Sequence, residues 1–246
     1  MFLRTSTGDA AGSVQPVFER EQITLSNVQI DSWVAALDLP PSDEASVFMN
    51  AVRGVLARYA WRRPEALEFF EGSLDRMYLR DDVMGRPLYF VSASAGKILA
   101  MLVSREPRIG LELATPAEAD ALLPRVEAEI CAQERDVIAG LSPAARRRAL
   151  LSLWTRKRAL QRANAVNVVA PLRTIAVGLG ELALELPPSF GWLHHWRLHG
   201  FSLRTGEIGS IAVYRHDQLL IVGAGDRRTG GRRNSPAAER RRAVAV

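Results

Sequence analysis

From Ser142 to Asn164 the sequence places Arg146, Arg147, Arg148, Arg156, Lys157, Arg158 and Arg162 on one stretch that contains no acid. Guanidinium forks and a lysine ammonium can neutralise phosphate or carboxylate groups, the arginines in two-point contacts and the lysine as a point charge. A solvated basic face is the simpler reading for Arg146, Arg147 and Arg148. Two acids stand upstream. Glu112 lies in the apolar run Arg108-Ile-Gly-Leu-Glu-Leu, and Glu134 lies in a helical stretch twenty residues before Trp154. His194, His195, His199 and His216 invite comparison with a metal site, but no cysteine or acid clusters with His-His-Trp-Arg-Leu-His. Structural or surface roles suit them better, and Trp192 and Trp196 are expected in the core.

The elements that must carry these residues follow from hydrophobic period and turn chemistry. Gln22 to Asp38 alternates well enough for one or two strands. Pro-Pro-Ser-Asp-Glu marks a helix start, with Ser42 as cap and two acids in the first turn. Val47, Phe48, Ala51, Val52, Val55, Leu56 and Tyr59 recur at three- and four-residue spacing, which predicts a helix over about 43–60 that buries one face. A short strand is expected at Leu67 to Phe70, a polar loop over 73–86, then strands at 87–92, 98–104 and 108–113. Thr115-Pro116 opens helical sequence reaching roughly Ala139, with room for a break inside it. Ser142-Pro143 is a strong second start, and the basic stretch reads as one helix over about 143–164. Beyond Pro171 the period turns to two, with strands expected in LRTIAVGL, ELALEL, WRLHGFSL, GSIAVYR and LLIVGA. Strands and a helix thus occur twice, with a boundary near 115. The expected class is α+β, with halves at 21–115 and 116–222.

Composition bounds the rest. An apolar share of 48% and a charged share of 24% suit a soluble globular protein. Cys131 is the only cysteine, so no intrachain disulfide can form, which fits a reducing compartment. No stretch approaches the roughly 20 apolar residues of a membrane span, and the first residues lack the apolar core of a signal peptide. A cytoplasmic location without membrane contact is expected. The net charge is +5, yet from Gly223 onward seven arginines face only Asp226 and Glu239, so the entire surplus sits in the tail. Residues 223–246 read as a disordered, solubilising Arg-rich tail, and residues 1–20 as a disordered N-terminal segment. The body is neutral and does not interleave cations with exposed aromatics, which argues against nucleic acid as a partner.

Three landmarks in order give a resemblance. They are Gly85-Arg86-Pro87 followed by Tyr89-Phe90-Val91-Ser92-Ala93-Ser94; Gly110-Leu111-Glu112-Leu113-Ala114; and Trp154-Thr155-Arg156-Lys157-Arg158-Ala159-Leu160-Gln161-Arg162. With Pro171-Leu172-Arg173 and Gly209-Ser210-Ile211-Ala212-Val213 they resemble the 4′-phosphopantetheinyl transferases of the surfactin-synthetase-activating type, over about residues 45–222. The resemblance implies a pseudo-dimer of two similar helix-plus-antiparallel-sheet halves, with the site in the cleft between them. It also implies transfer of the phosphopantetheine arm of coenzyme A to a serine of an acyl or peptidyl carrier protein, using Mg²⁺, by a monomer.

On this resemblance Glu112, Glu134 and Lys157 carry the chemistry, Glu112 and Glu134 hold the metal, and Arg53, Arg86, Ser92, Lys157 and Arg162 hold coenzyme A. Phosphoryl-group transfer of this kind depends on neutralising the phosphate oxygens and on positioning. The chain departs from the pattern at three positions. Ala114 and Arg158 stand where the family has acids, and Ala93 stands where it has histidine. Two readings therefore remain open: a divergent transferase, or a protein of the same fold that binds coenzyme A or a carrier protein without transfer.

Overall fold

A computed structural model describes residues 18–25, 28–36, 44–71, 77–80, 85–164, 170–180 and 183–215. The expected strand in LLIVGA and the Arg-rich tail lie outside these residues, as does the N-terminal segment up to residue 17. The class is α+β with antiparallel sheets. In the first part of the chain, β1 (Glu19–Leu25) and β2 (Val28–Ala36) form a hairpin, followed by α1 (Glu44–Ala60), β3 (Phe70–Glu71), β4 (Met77–Arg80), β5 (Pro87–Ala95) and β6 (Ile98–Ser104). These strands make one sheet in the order β1-β2-β6-β5-β4-β3. β7 (Ile109–Ala114), α2 (Ala119–Glu129), α3 (Ala132–Ala139) and α4 (Pro143–Asn164) come next, then β8 (Ala176–Val177), β9 (Ala183–Glu185), β10 (Trp196–Ser202) and β11 (Ile208–Tyr214).

β6 explains the layering. Its sequence, Ile-Leu-Ala-Met-Leu-Val-Ser, is apolar up to Ser104, and all seven residues are buried, because the strand is covered on both faces. Leu99, Met101 and Val103 join the core under α1 with Val52, Val55, Leu56 and Trp33. The alternate residues, Ile98, Ala100 and Leu102, join a second core with Ile109, Leu111 and Leu113 of β7 and Ile211 and Val213 of β11. α4 covers the other side of that second sheet, where Leu150, Leu153, Trp154 and Leu160 meet Leu198, Ala212 and Tyr214. The stack therefore reads α1, six-stranded sheet, three-stranded sheet, α4.

Several expectations change. β7 hydrogen bonds to β11 in the order β10-β11-β7, so a division at 115 leaves a strand of the second sheet in the first half. The sheet boundary falls before Ile109. Glu19 and Arg20 belong to β1, opposite Val34 and Trp33, which takes them out of the N-terminal segment. The expected loop over 73–86 contains β4. Its flanking charges masked an alternation in which Leu79 is buried while Tyr78 stacks 5.6 Å from Phe70 and 5.7 Å from Tyr89. The short strand pairs at Phe70–Glu71 rather than from Leu67, after a single turn at Pro64–Ala66. The break allowed for in the helical sequence over 115–139 falls at Ile130 and Cys131, where the Glu134 carboxylate accepts from the Cys131 N–H and caps α3. Of the two tryptophans expected in the core, Trp196 is there, but Trp192 is 68% exposed.

α1 closes in an unusual way. Trp61 follows its last residue at φ 53°, in the left-handed region, with its ring 82% exposed. That conformation costs an L-residue roughly 1–2 kcal/mol. Glycine is the common choice at such a helix end.

Candidate functional site

α4 sets the site because its faces meet different neighbours. Residues four apart share a face, while adjacent residues point about 100° apart. Arg158 and Arg162 look toward β7, and Lys157 is turned away from them. On β7 the inward residues are Ile109, Leu111 and Leu113, so Gly110 and Glu112 face α4. Gly110 lets the two backbones touch: a Cβ there would stand 2.0 Å from the Ala159 carbonyl oxygen and 2.6 Å from the Ala163 nitrogen.

Glu112 is the acid at this junction. Its Oε2 lies 2.8 Å from Arg162 Nε, in an ion pair whose side chains are 13% and 39% exposed. The N–H does not aim at that oxygen, which stays buried without a hydrogen bond. Arg162 Nη1 donates to the Ser92 carbonyl of β5 at 3.5 Å and to the Leu111 carbonyl of β7 at 3.2 Å. Arg158 donates to Gln161 Oε1 at 2.6 Å, and its charge also reaches Glu112. Opposite Glu112 across the sheet is Ser210, whose hydroxyl meets that of Thr155 on α4 at 2.8 Å, fully buried. Sequence reading passed over that pair, since strand register cannot be read from two ordinary hydroxyl residues.

Glu134 and Lys157 do not join this junction. Lys157 Nζ lies 2.6 Å from Glu134 Oε2, both side chains 1% exposed. The ammonium also donates to the carbonyls of Glu129 at 2.9 Å and Leu172 at 3.0 Å, which uses all three of its protons. Glu134 accepts from the Cys131 N–H at 2.9 Å and the Val177 N–H at 2.8 Å. Lys157, expected as a phosphate contact and catalytic group, and Glu134, expected as a metal ligand and catalytic group, thus engage each other and backbone groups instead of meeting Glu112. The pair ties the α2–α3 corner and the segment at Leu172–Val177 onto α4.

Two further expected contacts are dispersed. Arg53 of α1 donates to the Pro64 carbonyl at 3.0 Å and lies 4.9 Å from the centre of the Phe69 ring, where it braces the segment after the helix. Arg86 is exposed ahead of β5. Ser92 lies six positions further on, about 20 Å along the strand, which sets the Arg86 backbone well apart from the Ser92 carbonyl that Arg162 meets. His195 Nδ1 lies 3.0 Å from the Tyr214 hydroxyl, and the exposed His194 meets His195 edge-to-face, ring centres 4.3 Å apart.

Magnesium takes an octahedron of oxygens, commonly one or two carboxylates with phosphate and water. At the junction Glu112 is paired with the Arg162 guanidinium and also feels the Arg158 charge, and Glu134 is consumed elsewhere. Among the described residues no three His, Cys, Asp or Glu side chains come together to hold a metal. The residues present do not fit the ion. Nor is any helix among them long and apolar enough to cross a membrane. A comparison with protein-family models gives no match, and no curated protein matches the chain.

Burial raises the Glu112 carboxyl above its ordinary value of 4.5, outweighing the opposite pull of Arg162 and then of Arg158. A carboxyl raised on folding binds more protons in the folded chain than in the unfolded one. It therefore supports the fold fully below about pH 4.5, and that support is lost as pH climbs through the raised value. Arg162→Ala removes the stronger counter-charge, so the carboxyl should rise further. Stability should then fall more steeply above about pH 4.5 than in the wild type. Thermal unfolding at several pH values checks this, with Glu112→Gln expected to flatten the dependence. An unchanged profile in Arg162→Ala would show that the pair has no electrostatic weight.

Proposed function

We propose that this chain is a phosphopantetheinyl-transferase-like protein that holds coenzyme A, with an acyl or peptidyl carrier protein as its partner, and does not transfer the phosphopantetheine arm. The observation that carries the reading is convergence. Ser92, Glu112 and Arg162 come from the three separated landmarks, and one side chain, Arg162, touches the segments of the other two. Each half supplies one long helix over an antiparallel sheet, which supports a pseudo-dimer with its site at the junction.

The basic side of that junction suits a phosphate. Arg162 is partly exposed and bound to Glu112, so an incoming phosphate can compete for a guanidinium already in place. The acidic side suits a metal poorly. Charge is balanced by Arg158 and Arg162, where a metal-dependent transferase needs free carboxylates. A unit positive charge about 4 Å from another costs on the order of 4 kcal/mol at an effective dielectric near 20. That corresponds to roughly a thousandfold in metal affinity.

Calorimetry with coenzyme A tests the binding half. Affinity should fall as salt rises and drop by about tenfold or more in Arg162→Ala, the loss of one charge-assisted contact. Salt-independent binding, or none, would reject the site. One observation favours a second reading. The Glu112 carboxyl, raised by burial, is a stronger base than an ordinary carboxylate, which would serve a metal-free transfer with Arg158 in place of the ion. Transfer that survives EDTA and is lost in Glu112→Gln would select it.

A further inference from the structure

A separate cavity of about 230 Å³ opens where α1 ends against β3 and β4, and it shares no residue with the Glu112–Arg162 junction. Leu67 and Leu79, both buried, give it an apolar floor, and Phe70 adds an aromatic wall. Arg62, Arg80 and Glu68 supply its charges, with the Arg80 guanidinium 5.2 Å from the centre of the Phe70 ring. Trp61 sits in the chain between two lining residues, Ala60 and Arg62. Its ring is 82% exposed and its backbone is left-handed. An indole in water adds little to the core, and glycine would take that backbone without strain. The fold alone therefore gives no reason for tryptophan here.

We infer that this cavity binds a nucleoside monophosphate, with the base stacked on Trp61. The residue types divide the ligand among them. Two guanidiniums suit a phosphate through charge-assisted, two-point contacts. A carboxylate suits ribose hydroxyls, as it does in dinucleotide sites. An exposed indole suits the face of any base. The volume lies below the 300–1,000 Å³ range typical of sites for drug-sized ligands, so it accommodates phosphate and sugar and leaves the base outside, on the tryptophan. The sequence shows Trp61 beside Arg62 and Arg63, but only the fold shows that the tryptophan is exposed.

Calorimetric titration of the full chain with adenosine 5′-monophosphate tests this, with adenosine, inorganic phosphate and a short single-stranded oligonucleotide as separate arms. The nucleotide should bind once per chain, with adenosine and phosphate each at least about tenfold weaker. Arg80→Met and Trp61→Gly should each weaken it by about tenfold or more. Trp61→Gly should do so while leaving Tm unchanged or higher, because glycine relieves the left-handed backbone. Arg162→Ala should leave this affinity unchanged, which separates the cavity from the coenzyme A reading. No nucleotide binding at millimolar concentration, equal binding of phosphate alone, or unchanged affinity in Trp61→Gly would each overturn the inference. An oligonucleotide binding at least about tenfold tighter than the mononucleotide would also overturn it, in favour of nucleic acid.

Discussion

Gly110→Ala should destabilise the protein by about 3 kcal/mol or more, at the upper end of overpacking costs. For a chain of this size that is a drop in Tm of roughly 6–12 °C. The added methyl has nowhere to go. Its closest neighbours, 2.0 Å and 2.6 Å away, are the backbone oxygen of Ala159 and the backbone nitrogen of Ala163. Neither can rotate aside as a side chain would, so α4 must lift from β7. The same lift separates Arg162 from Glu112, and coenzyme A affinity should fall together with stability. Differential scanning calorimetry with a binding titration at low temperature measures both. A stable variant that binds normally would mean that α4 does not rest on β7 at this point. The result would also explain why a glycine opens the second landmark: here it is a condition of close packing.

Lys157→Met should cost about 3–5 kcal/mol, the usual penalty for removing one partner of a buried ion pair. Three acceptors lose their donor at once: the Glu134 carboxylate and the carbonyls of Glu129 and Leu172. Adding Glu134→Gln removes the stranded charge and keeps one oxygen for one of the Cys131 and Val177 N–H groups, which the carboxylate accepts on separate oxygens. The double variant should therefore recover roughly 1–3 kcal/mol relative to the sum of the single changes, the coupling expected of residues in direct contact. Denaturant unfolding of the four proteins gives the cycle. Additive losses would show that the two charges do not support one another. Coenzyme A affinity of any variant that remains folded should be unchanged, because Lys157 has no free proton to offer a phosphate.

The long periodic elements were legible in the sequence. α4 spans Pro143–Asn164 as its cap, proline and spacing predict, and β6 covers Ile98–Ser104. Strength of pattern decided this: β6 is unbroken in apolar residues up to Ser104, and α4 has a capping serine and a proline at its first turn. β4 escaped notice because only one of its four residues, Leu79, is fully buried. Charges on both sides of it read as loop. β7 was recognised as a strand of the first half, and it pairs with β11, since chain order says nothing about whether a strand pairs backward with β6 or forward with β11.

At the site, what sequence could reach was the meeting of the landmarks. Glu112 and Arg162 lie in different motifs fifty residues apart, and they do form a pair. The fate of Lys157 was out of reach. Twelve residues of α4 are buried, so the helix lacks the single apolar stripe that would have told which cation faces inward. A lysine in a basic run reads as exposed, and only the Glu129 and Leu172 carbonyls with Glu134 make its burial tolerable. Glu134 likewise reads as a surface acid of α3 until its three partners are known.

Mass spectrometry of an apo carrier protein, after incubation with this chain, coenzyme A and Mg²⁺, tests the central claim most directly. With Glu112 paired to Arg162 and Glu134 closed off by Lys157, the carrier should keep its mass, while calorimetry on the same sample still reports coenzyme A bound. A carrier that gains the phosphopantetheine mass, in a reaction that EDTA abolishes, would contradict this and require metal-binding acids other than these two.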